Sequence, residues 1–586
     1  MQTAITAGWQ EVVGMTLRAQ VTATGAAGPR SGGRRWTRLA RPAAAPVVGA
    51  RTGRWAGAVV AVAALLLSGC QGASTTSPTA RPTIATTCPE LAVLIVDAVQ
   101  VYVDSFAGVA ASEVAGAVSA RQADFATTTT TLRERGEALG CAPTELADLV
   151  RAELGRLTGG TPVQDAVVDT FRADPLGTVD PSDLGPVDMP VRSAAELITA
   201  VARAGTGSTI RLEPGTYALS GPLVALRPIT LVGAGDGTAS DAVSTITSRS
   251  AGATLIAATS GNLVLKDIAI AHRGQQVASV VVVAGGGYRF ERVRITGGVG
   301  EKGTGGYGVV LRPSASPLTP SGDSRVLADV TLDDNDGGGV VIAGAEQPAI
   351  DRVHVTGSGG CGLCWVEQAA GTASDITVKG TQIGVRIDNE AAPTVSGAHI
   401  DDAEVGVALT GSGAPRIENG VVSGAAIGVQ ATGSGTPTLA GNRLQGISEI
   451  GIRLSGTTRT ALERTDITGR TKVGIATVAQ AHSTITGGEV SSAGDVGLVW
   501  GEEATGLAED VVIRGAKLGV QLSASAKVDV TDVVADRSTA ALLANGKTSG
   551  TVTGLRCGKG DGAVVVLTDS TTVRLENSPS CRRYQK

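Results

Sequence analysis

The sequence predicts a mainly β fold, a parallel β-helix wound as a solenoid, preceded by a small α-helical module. Three observations predict it. A Gly-apolar-x-apolar motif returns with its glycine at 339, 362, 384, 406, 428, 451, 474, 497 and 519, always 22 or 23 residues apart. Such near-fixed spacing marks a chain in which every repeat is one turn. Residues 89–173 carry the 3.6-residue apolar period of helices instead. The composition fits both, with 81 Gly in 586 residues, 42% apolar residues and 18% charged ones, so the chain folds and is rich in tight bends.

At the N-terminus, Arg51 and Arg54 precede the apolar run Trp55 to Leu67, which leads into Ser68-Gly69-Cys70. A basic flank, a short apolar core and small residues describe a secretory signal. Thirteen apolar residues fall short of the ~20 that span a bilayer. Leu67-Ser68-Gly69-Cys70 resembles the lipobox of bacterial lipoproteins. The resemblance implies that residues 1–69 are a leader, that Cys70 carries the lipid, and that the exported chain sits on the outer face of the cytoplasmic membrane. The Ser/Thr-rich stretch that completes 70–87 then reads as a flexible tether. Residues 1–69 hold eight Arg and one Glu, so the remaining chain changes from −5 to −12. An acidic surface disfavours nucleic acid and anionic lipid as partners, so the membrane is met through the lipid anchor only. It leaves room for acidic glycans in a local basic groove.

Residues 88–173 form the helical module. A first helix starts at Pro89, a second covers Ser112 to Ala138, a third starts at Pro143, and a short fourth covers Gln164 to Ala173. The first two make an antiparallel hairpin, which brings Cys88 close to Cys141. Residues 174–190, rich in Pro, Gly and Asp, are a linker.

The segment 191–235 opens with a short amphipathic helix, Ala194 to Ala204, and enters β structure at Gly215-Thr216-Tyr217. This opening resembles that of pectin-lyase-like right-handed parallel β-helices, in which a capping helix covers the open end of the first coil. An exposed sheet edge needs such a seal. The β-helix then runs over 191–586. Each repeat holds about three short strands, with Val407 and Leu409 inward and Ala408 and Thr410 outward. Cys557 and Cys581 lie about one coil apart and can staple the last turns. Cys361 and Cys364 form a lone CxxC, by motif a redox-active pair or a metal half-site without a second Cys pair, and by the plainer reading a local bridge or two buried thiols.

With the interior packed, function falls to outward side chains. Aligned coils give an outward row of Arg294, Thr331, His354, Thr377, His399, Val421, Arg443, Asp466 and Glu489. Beside it lie Asp333-Asp334 and Asp401-Asp402. The histidines and the Asp pairs span roughly 14 Å, three coil spacings, which suits an extended oligosaccharide. These six residues are the candidate acid-base set. A second outward row carries Arg386 and Asp388, with Glu346 and Glu367 near the same bend. Carboxylates of this kind can hold calcium through oxygen ligands, but alternating Arg and Asp also read as plain charge pairing, and no cofactor motif accompanies them. Tyr288, with Arg289, Arg292 and Arg294, reads as a platform in a basic patch for an acidic glycan, and Tyr307 as a further platform.

Catalytic signatures of the resembled family do not carry over. Arg312-Pro313 is a fragment of the pectate lyase RxPxxR segment. Asn335-Asp336-Gly337 is faintly similar to the polygalacturonase NTD, without the later Asp pair or GHG. Asp351-Arg352-Val353-His354 does not match the DPHD of alginate epimerases. Fold alone supplies no activity. The expected function is therefore non-catalytic binding of polysaccharide or a scaffold role in the cell envelope. The first alternative is a polysaccharide lyase or glycoside hydrolase with a non-standard site. The second is a protein-binding solenoid with the helical module as its docking element.

Overall fold

In the computed structural model, residues 85–585 are described apart from 176–185, 313–324 and several shorter stretches; residues 1–84 also fall outside. The leader, Cys70 and the tether up to residue 84 therefore lie outside the described residues, as does much of the fourth expected helix.

Three helices open the described chain: α1 (Cys88–Asp104), α2 (Val114–Leu139) and α3 (Pro143–Leu154). Thr87 caps α1 with a reciprocal capping box to Glu90. Cys88 and Cys141 are bonded, with Cα atoms 5.8 Å apart, as the hairpin requires. Leu91, Ile95, Val99 and Val103 of α1 and Leu146, Val150 and Leu154 of α3 face a common core. Three of the chain's four phenylalanines, Phe106, Phe125 and Phe171, gather around Tyr102 in this module, with ring centroids 4.4–6.0 Å apart.

The solenoid begins with the strand Asp188–Val191 and the capping helix α4 (Ala194–Arg203). Ser193 accepts a hydrogen bond from the Glu196 N–H, and Leu197, Ala200 and Val201 plug the end of the core. From there each coil contributes a first, a second and a third strand. First and second strands form one sheet, and third strands form another of sixteen strands, one per turn. All pairings in both sheets are parallel. In early coils the first two strands run together through a kink, as in Gly287–Thr296 and Ala349–Thr356; later they separate, as in Thr394–Ser396 and His399–Asp401.

The opening motif has a steric cause. Each motif glycine starts a third strand where the next coil closes in. A Cβ on Gly451 would meet the Gly474 carbonyl oxygen at 2.5 Å and Ile467 Cδ1 at 2.8 Å; one on Gly428 would meet the Gly451 oxygen at 2.5 Å and Leu444 Cδ1 at 2.9 Å. Glycine recurs because parallel coils stack about 4.8 Å apart, leaving no room for a side chain there. Val407 and Leu409 point inward as expected, and Trp365 and Trp500 are fully buried with their indole N–H donating to Ala370 O and Ser483 Oγ. Cys557–Cys581 and Cys361–Cys364 are bonded, so of the expectations for the CxxC the local bridge holds.

The helical module packs on the outside of the third-strand sheet. Its apolar core is continuous with Ala253, Ile256, Val282 and Val310, joined at the margin by Val224, Tyr307 and Val341. Val224, Ile256, Val282, Val310 and Val341 are one outward row, in register from coil to coil. The helices thus hide an apolar ladder that would otherwise face water.

Two outcomes follow for stability. Gly451→Ala should destabilise the chain by about 2 kcal/mol through overpacking, read as a lower denaturant midpoint. Gly494→Ala, where a Cβ meets only the Thr471 oxygen at 3.5 Å, should leave it unchanged. Val282→Asp buries an unpaired carboxylate under the helices. Limited proteolysis should then cut within 88–157 at protease concentrations that spare the native chain, while the β-type circular dichroism persists.

Candidate functional site

Outward residues of the first two strands form rows whose order follows the pairing register. Arg294, Thr331, His354, Thr377, His399, Val421, Arg443 and Asp466 are successive partners, the row expected from sequence. His354 and His399 are both exposed and stand two rungs apart with Thr377 between them. Two residues along, a parallel row reads Asp333, Thr356, Lys379, Asp401, Ser423. The structure therefore places both histidines, Asp333 and Asp401 on one face.

The carboxylates on that face are engaged. Asp333 accepts from Arg294 Nε at 3.0 Å and from the Thr356 hydroxyl. Asp401 accepts from Ser423 Oγ at 2.9 Å and lies 3.4 Å from Lys379 Nζ. The Ser423 hydroxyl, then Lys379, hold the Asp401 carboxyl below its ordinary range. Asp334 and Asp402 occupy left-handed bend positions, φ 52° and 53°, and are exposed. Asp334 and Asp402 therefore turn the chain after the strand, a place that short polar side chains tolerate.

The early arginines are likewise paired. Arg289 bonds Glu291, whose carboxyl is held low first by Lys266 and then by Arg289. Arg292 grips Asp267 at 2.5 and 2.9 Å, and Arg352 grips Asp329 at 2.6 and 3.0 Å. Asp267, Arg292, Asp329, Arg352 and Asp375 all sit at left-handed bends between first and second strands, φ 49–54°, and their signs alternate. The basic patch read from sequence is thus a charge zipper along the coils.

Tyr288 requires a correction. It is not an exposed platform but is 1% exposed, on the inward side with Phe290. The alternation shows why, since Tyr288 and Phe290 share one parity and Arg289 and Glu291 the other. Tyr307, half-buried, packs beside the helical module. Glu346 is also inside, whereas Glu367 is exposed and accepts the Gly344 N–H at 2.8 Å. The Tyr288 hydroxyl donates to Glu346 Oε2 at 3.2 Å, and Arg325 Nε lies 3.3 Å from the same oxygen. Burial raises the Glu346 carboxyl, and burial next to Glu346 pushes the Tyr288 phenol well up.

Arg386 and Asp388 lie on the third-strand sheet, away from the histidine row. Arg386 Nη2 is 2.6 Å from Asp388 Oδ2, and Asp388 is itself buried and accepts from the Thr410 hydroxyl. Charge pairing is what this row does. Asn335 is a buried bend peg: its Oδ1 accepts the Gly298 N–H at 2.9 Å and its amide donates to Ile295 O. Among the described residues no group of three or more His, Cys, Asp or Glu is placed to hold a metal ion. A shallow surface dip lies at the bends after Leu409 and Ala431, lined by Thr410, Gly411, Gly413, Pro415 and Thr458.

Comparison with known proteins fits this architecture. The family described as "Right handed beta helix region" matches residues 278–444, 338–490 and 383–578, together just over half of the chain. The chain belongs to this right-handed β-helix family. No curated protein sequence matches it. Among solved structures it is similar to the N-terminal fragment of bacteriophage Phi29 gene product 12, with 10% identity, TM-score 0.42, and 63% of this chain and 86% of that one covered. It is similar to the catalytic unit of a thermostable α-1,3-glucanase from Streptomyces thermodiastaticus, with 14% identity, TM-score 0.32 and 69% of each chain covered. A third is the A-module of a mannuronan C-5 epimerase from Azotobacter vinelandii, with 12% identity, TM-score 0.25, and 68% of this chain and 97% of that one covered. These likenesses concern the fold.

The buried Tyr288–Glu346–Arg325 group makes stability depend on pH. Because the folded Glu346 pKa is raised above 4.5, the folded state binds more protons than the unfolded one as pH rises from there. Stability that Glu346 contributes is complete below that value and is lost as pH rises through the raised pKa. Denaturant midpoints measured as a pH series should fall over that window, and Glu346→Gln should flatten the fall.

Proposed function

We propose that this chain is an exported, lipid-anchored surface protein whose β-helix binds polysaccharide without cleaving it, as a binding or scaffold element of the cell envelope. The observation that carries the reading is the outward second-strand row, in which His354 and His399 are exposed and Thr331 and Thr377 half-buried. Thr331, His354, Thr377 and His399 present hydrogen-bonding side chains at one rung spacing on a rigid face. An extended sugar chain offers hydroxyls at similar regular intervals. Beside the row, Asp333 and Asp401 are held by Arg294, Thr356, Lys379 and Ser423. A carboxyl held low, as Asp401 is, is a poor general acid. Three disulfides accord with an oxidising, extracytoplasmic setting, as does the lipobox-like Leu67-Ser68-Gly69-Cys70.

Affinity electrophoresis of the full chain through gels containing single polysaccharides tests the proposal. Retardation without loss of polymer is expected. Replacing both His354 and His399 by Ala should weaken it by about threefold or more, as loss of two modest hydrogen bonds implies. A cleared zone that disappears in the same variant would instead establish an enzyme, and free migration in every gel would leave a structural or protein-binding solenoid.

A further inference from the structure

The arginines outside the core fall into two groups. Many in the solenoid hold a carboxylate: Arg292 with Asp267, Arg294 with Asp333, Arg352 with Asp329, Arg386 with Asp388, Arg416 with Glu418 and Arg514 with Glu489. Others, among them Arg249, Arg273 and Arg556, stand singly without one among the described residues. Residues 438–472 gather the unpaired kind in one stretch. They contain five Arg and one Lys against three acids, a net of +3 in a chain that is otherwise acidic. Lys472 reaches Glu449 at 3.6 Å, but among the described residues Arg443, Arg459, Arg464 and Arg470 have no carboxylate within 4.0 Å.

These side chains surround one second strand, Asp466–Thr468. Arg443 stands one rung before Asp466 on the same outward row. Arg464 occupies the left-handed bend just before the strand, φ 45°, and Arg470 the bend just after it; both are exposed. Arg459 begins the adjoining first strand beside His482, and its charge adds to burial in lowering that imidazole's pKa. The acid within the strand is committed elsewhere, since Asp466 Oδ1 accepts the Glu489 backbone N–H at 3.0 Å. Several guanidinium groups therefore stand near one strand of a rigid frame without a carboxylate partner among the described residues. Each offers a planar fork that fits a carboxylate or sulfate.

We infer that residues 443–470 form an anion-binding site for an acidic polysaccharide whose chain continues along the row from His354 and His399 to Arg443. The inference rests on the glycan-binding reading above and adds the ligand's charge and the residues that select it. Arg443 lies on that row, and Arg464 and Arg470 stand at the two bends of the following coil, so a polyanion brings more than one acidic group to the site. A single small anion would satisfy one fork and leave the others unmatched.

The test uses the full chain in gels containing polygalacturonate, dextran sulfate or uncharged dextran. Stronger retardation by the two acidic polymers than by dextran, relieved by added salt, is expected. Arg443→Gln and Arg464→Gln should each weaken it by about threefold, the scale of one exposed charge pair. Arg416→Gln, whose guanidinium Glu418 already holds, should leave it unchanged. Retention by dextran alone would overturn this inference and keep the glycan-binding reading. So would acidic retention that survives in the Arg443→Gln, Arg464→Gln double variant. Free migration of the parent chain in every gel would overturn both. Unchanged circular dichroism and denaturant midpoints in the variants separate lost binding from lost folding.

Discussion

Every coil of this solenoid is held by the coil before it and the coil after it, through parallel backbone hydrogen bonds and the stacking of like side chains. That constraint decides the rest. It sets the spacing at which motif glycines must recur, because a Cβ at Gly428 or Gly451 would strike the next coil's backbone. It fixes which residues are neighbours: His354 and His399, 45 positions apart, stand two rungs apart. It also lets a charge at a bend reach its partner one coil away, as Arg352 reaches Asp329.

Stacking creates two problems that the rest of the chain solves. Both ends of a solenoid expose core and sheet edge. At the N-terminal end α4 covers them, with Leu197 and Val201 in the core. The second problem is the apolar outward ladder from Val224 to Val341. The helical module, closed by Cys88–Cys141, buries it. The module is thus part of the solenoid's own packing.

The surface chemistry follows from the same geometry. Rows on adjacent coils put like charges about one strand spacing apart, which costs energy. Through the early coils the chain avoids that cost by alternating sign or by pairing along a strand, as in Asp267, Arg292, Asp329 and Arg352, or Arg386 and Asp388. Exposed pairs of this kind add little stability each, but together they neutralise the face. The stretch of row from His354 to His399 and the arginines near Asp466 lie outside these pairs.

The sequence by itself determined the solenoid, its coil length, the capping helix, the helical hairpin and the Cys88–Cys141 bridge, because each depends on local period or on residues brought together by one hairpin. It also determined the outward row through His354 and His399, since register follows from counting one coil. It held one signal that went unread. Third strands in early coils are apolar on both faces, as in Val280–Val283, while later ones alternate, as in Val407 to Thr410; a strand apolar on both faces is covered on both. What covers it could not be read from periodicity, because the helices and the ladder touch through contacts distant in sequence. The tertiary structure alone decided that Tyr288 and Glu346 meet inside the core. It alone decided which arginines find a carboxylate, since a reach of a few ångströms between side chains on different coils depends on bend conformation and rotamer, which no spacing encodes.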